Sequence, residues 1–230
     1  MVKKITRKEL KEPDQFQEFS ARVLQYVDTH IKKLYIAAGI VVAAIILAVG
    51  LYFYSSHCEE NALAMYAQAY GTYQTIDDNK KNESYVKAIS LYEELIGKYP
   101  RTGAAMVALF NLGNLYFNLG DIDKSIDSYT LFLEKASEDN ILAPLAYYGL
   151  GYCYETKKNY NDALQSFENS GTISGKEFYQ AMNYENMARV YEEMGSPQKA
   201  EEYYRKVLEK TNDPMREKLV RRKISMLDIH

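Results

Sequence analysis

A dipeptide and a tyrosine recur along this chain at near-constant spacing: Leu112-Gly113 with Tyr116, Leu150-Gly151 with Tyr154, and the degenerate Met187-Ala188 with Tyr191. Successive copies lie 38 and 37 residues apart. Each is followed by a small residue and, four positions on, an aromatic: Ser125 and Tyr129, Ala163 and Phe167, Ala200 and Tyr204, with an earlier match in Ala88 and Tyr92. A period of this length is that of a helix-turn-helix unit, which cannot bury its apolar face alone and must stack on copies of itself. At ~3.6 residues per turn, Leu109, Leu112, Gly113 and Tyr116 share one helix face, as do Tyr147, Leu150, Gly151 and Tyr154. The glycine admits a neighbouring helix, and the aromatic of the second helix fills the groove between them. Gly120-Asp121, Lys158-Asn159 and Gly195-Ser196-Pro197 punctuate the turn inside each pair.

These residues resemble the tetratricopeptide repeat (TPR) pattern of Trp-x2-Leu-Gly-x2-Tyr, Ala-x3-Phe and Pro. Leu109, Leu112, Gly113, Tyr116, Ser125 and Tyr129 meet it in one unit. Tyr147, Leu150, Gly151, Tyr154, Ala163 and Phe167 meet it in the next, and Tyr184, Met187, Ala188, Tyr191, Ala200 and Tyr204 in the third. The closing proline survives as Pro100 in the first unit, and Trp is absent throughout. The period exceeds the family's ~34 residues, and the surplus is assigned to loops at Ser137-Glu138-Asp139-Asn140 and from Gly171 to Gly175. The resemblance implies a short α-solenoid of about four helix pairs with a C-terminal capping helix; with an N-terminal transmembrane helix before it, the expected fold is all-α.

The transmembrane helix is read from Leu34 to Tyr54, twenty-one residues without a charge, amide or proline. At ~1.5 Å rise per residue this spans a hydrocarbon core of ~30 Å. Lys32 and Lys33 flank one end, and Tyr52, Phe53 and Tyr54 form an aromatic belt at the other. A cleaved signal peptide fits poorly, because thirty-three residues precede the run and no small-x-small site follows it. Bulky His57 before Cys58 argues against a lipoprotein site. The expected division is a cytoplasmic tail over 1–33, a signal anchor over 34–54 and an extracytoplasmic repeat domain over 55–230. Orientation follows from charge. The tail carries eight Lys or Arg against five acids, whereas the first charges after the run are Glu59 and Glu60. The twenty basic and twenty-six acidic residues beyond the run give a net charge of −6, which argues against a nucleic-acid partner.

Outside the repeats, Phe16, Phe19, Val23, Val27 and Ile31 step by three or four after Pro13, predicting an amphipathic helix. It either binds lipid or a membrane partner, or simply extends the anchor. The first repeat helix is expected over Asn61–Gln74, followed by a long polar loop from Thr75 to Ser84. A last helix from Asp213-Pro214 to Leu227 reads as a cap, with Leu219, Val220, Ile224 and Leu227 covering the stack and Arg216, Lys218, Arg221, Arg222 and Lys223 in water. Cys58 and Cys153 read as one exposed thiol and one small buried residue. His30, His57 and His230 lie too far apart in role and position to assemble a metal cluster or a triad, and no phosphate-cradling glycine loop is present. The expectation is a non-enzyme without a cofactor or small-molecule substrate.

Function is then expected in the concave face built by the first helix of each unit. Extrapolating the TPR arrangement, its inward positions are Val107, Phe110, Asn114 and Phe117, then Leu145, Tyr148, Tyr152 and Glu155, then Met182, Glu185, Arg189 and Glu192. Each either meets a ligand or packs on the adjoining unit. The surface would be aromatic and weakly acidic, suited to proteins or extended peptide segments. TPR clamps for chaperone carboxyl termini use basic residues here, and only Arg189 is basic. The order of tail, anchor and outer repeats resembles the single-anchor ancillary subunit of the bacterial Sec translocon. That resemblance implies a scaffold on the periplasmic side of the inner membrane which meets emerging polypeptides. The alternatives are a periplasmic TPR adaptor for outer-membrane assembly or cell-division machinery, and an organelle-surface TPR receptor.

Overall fold

The computed structural model describes residues 15–74, 80–137, 139–174 and 177–227. Among them are nine helices and no strand: α1 (Gln15–Gln74), α2 (Lys81–Lys98), α3 (Gly103–Leu119), α4 (Ile122–Lys135), α5 (Ala143–Thr156), α6 (Tyr160–Ser174), α7 (Glu177–Glu193), α8 (Pro197–Lys210) and α9 (Pro214–Leu227). The chain divides into two compact units, Met1–Ser56 and His57–His230.

In the first unit, α1 carries the apolar run. It is long and apolar enough to cross a membrane, with a mean hydropathy of 2.7 over its most apolar window and no residue of that window buried. Phe19, Val23, Val27 and Ile31 are exposed.

The second unit is a succession of helix pairs. The stretch of α1 beyond His57 pairs with α2, then α3 with α4, α5 with α6 and α7 with α8; each pair packs on the next, and α9 follows α8. This matches the four pairs and a cap expected from the period. Inside each pair a small residue on the first helix sits under an aromatic on the second. A methyl group on Gly113 would lie 2.5 Å from the Tyr129 ring, and one on Gly151 2.4 Å from Phe167. In α7 the larger Ala188 is accommodated against Tyr204, and both are buried.

The turns close identically. Gly120, Lys158 and Gly195 all adopt left-handed φ of 80°, 58° and 67°. The next residue's N–H reaches back to Tyr116 O, Tyr154 O and Tyr191 O at 2.9, 2.8 and 2.9 Å, ending each first helix with the same paired bonds. Lysine in the middle turn accepts a backbone conformation that glycine adopts without steric cost.

Four expectations need correction. Helix α6 continues through buried Gly171 to Ser174, so the surplus assigned to a loop from Gly171 is helical; a methyl on Gly171 would only touch Asn183, at 3.5 Å. Helix α2 begins at Lys81, so the loop expected to Ser84 is shorter, while residues 75–79 lie outside the described ones. In the cap, Val220, Ile224 and Leu227 turn inward at i, i+4 and i+7, leaving Leu219 54 % exposed. Cys58 is half-buried where an exposed thiol was expected; Cys153 is buried, its Sγ 3.2 Å from Ser125 Oγ, and both cysteines are free. Pro13, Glu138, Gly175 and His230 lie outside the described residues.

Candidate functional site

The first helices of the middle pairs are held in place by bonds that leave one face open. Helix α3 starts at Thr102, whose Oγ accepts from Ala105 N at 3.1 Å. The two preceding amides, Gly103 N and Ala104 N, donate to the carboxylate of Glu59 at 2.8 and 3.0 Å. Three donors that a helix start otherwise leaves orphaned are thus satisfied, and a negative charge lies against the positive end of the dipole. Sequence reading assigned Glu59 only to the charge balance. Two turns further on, Asn111 Nδ2 donates to Tyr66 Oη of α1 at 2.9 Å.

Between α3 and α5 lies a groove of about 210 Å³ lined by Phe110, Asn114, Phe117, Leu145, Tyr148 and Tyr152, with Tyr129 and Gly149 behind them. Six of the twelve predicted positions are brought together here, without a charged side chain. Tyr129, from α4, is wedged between two helices: methyl groups at Gly113 and Gly149 would each lie 2.5 Å from its ring. Its hydroxyl donates to Asn114 Oδ1 at 2.7 Å. Asn114 lines the groove, and a side-chain amide is a group that can donate to a peptide carbonyl. Burial pushes the Tyr129 hydroxyl well above the usual tyrosine range. Phe110 packs on Tyr129 and Phe132 with centroids at 6.0 and 5.8 Å, so one side of its ring belongs to the core.

At the α5–α7 junction the chemistry changes. Tyr152 Oη donates to Asn186 Oδ1 at 3.0 Å and receives the Tyr148 hydroxyl at 3.0 Å. Arg189 makes a two-pronged pair with Glu155 at 2.7 and 2.6 Å, donates to Asn186 Oδ1 at 3.1 Å, and lies 5.1 Å over the Tyr152 ring. The Glu155 carboxylate, hydrogen-bonded to the guanidinium, holds Arg189 more firmly protonated than usual. Burial first, then the bond to Tyr152, pushes Tyr148 up to about 12. Two further acids of the predicted face are also paired: Glu185 with Arg216 at 3.6 Å and Glu192 with Lys223 at 3.1 Å, both partners coming from α9. Arg216 and Lys223, expected in water, therefore anchor the cap. Glu155, Glu185, Arg189 and Glu192 are neutralised within the stack, so this stretch lacks the uncompensated acidity read from its sequence. Val107 and Met182 are half-buried outside the groove.

Sequence reasoning placed Tyr129 in the packing between paired helices and did not single out Gly149 or Asn186. A signal for Asn186 was available: it stands two positions before Ala188, as Asn111 stands two before Gly113, and each asparagine bonds a tyrosine on the preceding first helix. Among the described residues no cluster of three or more His, Cys, Asp or Glu side chains could hold a metal.

This stacking has known counterparts. A model of the tetratricopeptide repeat-like domain matches residues 32–228. No curated protein sequence matches the chain. Among solved structures, MamA aligns with a TM-score of 0.53 at 22 % identity over 67 % of this chain and 84 % of its own. A kinesin-light-chain TPR-like repeat protein of P. anserina gives a TM-score of 0.56 at 13 % identity, over 74 % and 86 %. BtubC (BKLC) from P. vanneervenii gives 0.53 at 18 %, over 67 % and 69 %. At these identities the likeness concerns the fold alone. With the family model spanning most of its length, the chain belongs to the tetratricopeptide repeat-like domain family, whose repeats generally act as non-catalytic scaffolds for binding proteins or peptides.

Proposed function

We propose that this protein is a membrane-tethered scaffold that grips extended, uncharged stretches of other polypeptides in the groove between α3 and α5, at the protein-translocation machinery on the periplasmic side of a bacterial inner membrane. The observation that carries the reading is the groove itself: Phe110, Phe117, Leu145, Tyr148 and Tyr152 around Asn114, in a face where every predicted charge is paired internally. Aromatic side chains supply contact area at low entropic cost, and an asparagine supplies the polar bond that orients a backbone.

Tethering is supported by the apolar run of α1 and by the family match, which begins at residue 32 and so takes in that run together with the repeats. Sidedness rests on the excess of Lys and Arg before the run and on Glu59 and Glu60 after it. A photoreactive residue at Phe110 or Tyr148 in intact cells is expected to capture translocon subunits or secretory chains. Capture confined to cell-wall or outer-membrane assembly proteins would overturn the assignment to translocation while leaving the scaffold reading intact. Protease access to a tag after His230 checks the side of the membrane, with cleavage only from the periplasmic side as the expected result.

A further inference from the structure

We propose that a cavity between α6, α7 and α8 binds a small neutral carboxamide; it shares no lining residue with the α3–α5 groove. The starting point is a break in the repeat. Counting by the period of 37 or 38 residues, Ser170 stands where the other second helices have Leu95, Phe132 and Val207. Those three are fully buried apolar core residues, and Ser170 is buried as deeply but polar. The next position carries Gly171, where the other second helices have Ile96, Leu133 and Leu208 packed on their cores. On the facing helix α7, Asn183 takes the place of Ala108 and Ala146 and is 1 % exposed. One unit has lost two large apolar side chains and gained a buried amide beside them.

These exchanges accompany a cavity of about 160 Å³. Gly171 and Asn183 line it, and Phe167, Tyr184, Met187 and Tyr203 form its apolar walls. Asn183 Nδ2 donates to Ser170 Oγ at 3.0 Å, whereas its Oδ1 accepts no hydrogen bond among the described residues. A void in a packed core forfeits dispersion contacts, and a buried amide oxygen without a partner keeps its desolvation cost. Both losses fall at one place, and a single guest offsets both.

Size and charge set the class of guest. A cavity of ~150 Å³ holds a molecule about as large as benzene. Glu168 and Lys206 stand on the lining with opposite signs. Lys206 is held by Glu202 at 2.7 Å and lies 4.0 Å from the centre of the Tyr203 ring. Its ammonium already covers that ring and repels a second cation, while Glu168 disfavours an anion, so the guest is neutral. A carboxamide brings a donor for Asn183 Oδ1 and an acceptor besides, and so meets the free end of that amide in either orientation.

The test uses isobutyramide, its ketone isostere 3-methyl-2-butanone and the isobutyrate anion. Each is titrated into the full-length protein in phosphatidylcholine nanodiscs with carbon-13-labelled methionine methyl groups, because Met187 lines the cavity. The expected result is a saturable shift of the Met187 methyl signal with isobutyramide and the other methionine signals unmoved. Loss of the hydrogen bond to Asn183 is expected to make the ketone bind about tenfold more weakly, and the anion is expected not to bind. Asn183→Leu combined with Ser170→Val replaces both polar partners by apolar groups and is expected to erase the preference for amide over ketone. No saturable shift with isobutyramide would leave water as the occupant and overturn the inference. Ketone or anion binding as tight as the amide's in the unaltered protein would overturn it as well, and that comparison needs no variant to fold.

Discussion

The face built by the first helices has two halves made from the same repeat, and they put their polar groups to opposite uses. Between α3 and α5 the lining is aromatic and aliphatic, with Asn114 as its one amide and no charged side chain. Between α5, α7 and α9 the acids and bases of the face bind one another: Glu155 with Arg189, Glu185 with Arg216, Glu192 with Lys223. The difference begins with residue size. Glycines at 113, 149 and 151 let the rings of Tyr129 and Phe167 come against the helix backbones, and the Tyr129 ring becomes the wall of a groove. Two positions before the small residue of each first helix, α5 has Gly149 and α7 has Asn186, which fills the space and ties Tyr152 to Arg189. Removing side chains opened a surface for a ligand, and adding polar ones closed the next junction on itself.

The contrast can be broken most severely on the closed side. Arg189→Ala leaves the Glu155 carboxylate, only 11 % exposed, without its partner, and is expected to destabilise the repeat domain by about 3 kcal/mol in chemical denaturation. Arg189→Met combined with Glu155→Leu is expected to cost much less, because no charge is left stranded. On the open side, Gly149→Ala forces a methyl group against the Tyr129 ring and is expected to cost about 2 kcal/mol and to abolish peptide capture. A variant that kept full stability would show that the ring swings freely and is no fixed wall.

Glu59→Gln tests the support of the open side alone, since Glu59 caps the helix that carries Phe110, Asn114 and Phe117. The expected loss is about 1 kcal/mol, with faster amide exchange at the start of α3 and unchanged exchange in α7. Lys158→Gly sharpens the comparison from the other direction. It relieves the left-handed backbone at the α5–α6 turn and is expected to raise stability by about 1 kcal/mol.

The smallest effect at neutral pH is one that both halves share. Burial raises Tyr148 to about 12 on the open side, and lifts Tyr129 there and Tyr204 on the closed side above their ordinary value. Tyrosine in the unfolded chain ionises near ~10. The folded state therefore holds these protons more tightly, and the stability they contribute is complete below about pH 10 and is lost as pH rises through 10 to 12. Tyrosinate absorbance and helix content are expected to change together in that window. Full ionisation with the helices intact would contradict the burial of these hydroxyls.

The helical period and its small-then-large pairing made the pairs, their turns and the cap legible before any coordinate. Sterics within one unit repeat, and a repeat leaves a trace in spacing. Extrapolating the TPR arrangement gave twelve inward positions, of which six line the groove. What spacing could not carry was partnership between distant residues. Glu59 reaches α3 across some forty residues, and Arg216 and Lys223 reach α7 from a cap whose basic face looks solvated in one dimension. Helix phase also failed for Leu219, because Val220, Ile224 and Leu227 are the residues that turn inward against α7 and α8. Gly171 looked like a loop because glycine punctuates; its burial against α7 explains why it stands inside a helix.

The most direct test compares the two halves in one experiment. A photoreactive residue is placed at Tyr148 in one full-length variant and at Met182 in another, each is incubated with an unfolded, uncharged polypeptide, and the adducts are quantified at low and high salt. Adducts at Tyr148 that persist in high salt, with little at Met182, are the predicted result. Equal labelling at both sites, or labelling at Met182 that salt removes, would contradict the claim that the aromatic half of this face is the one that binds.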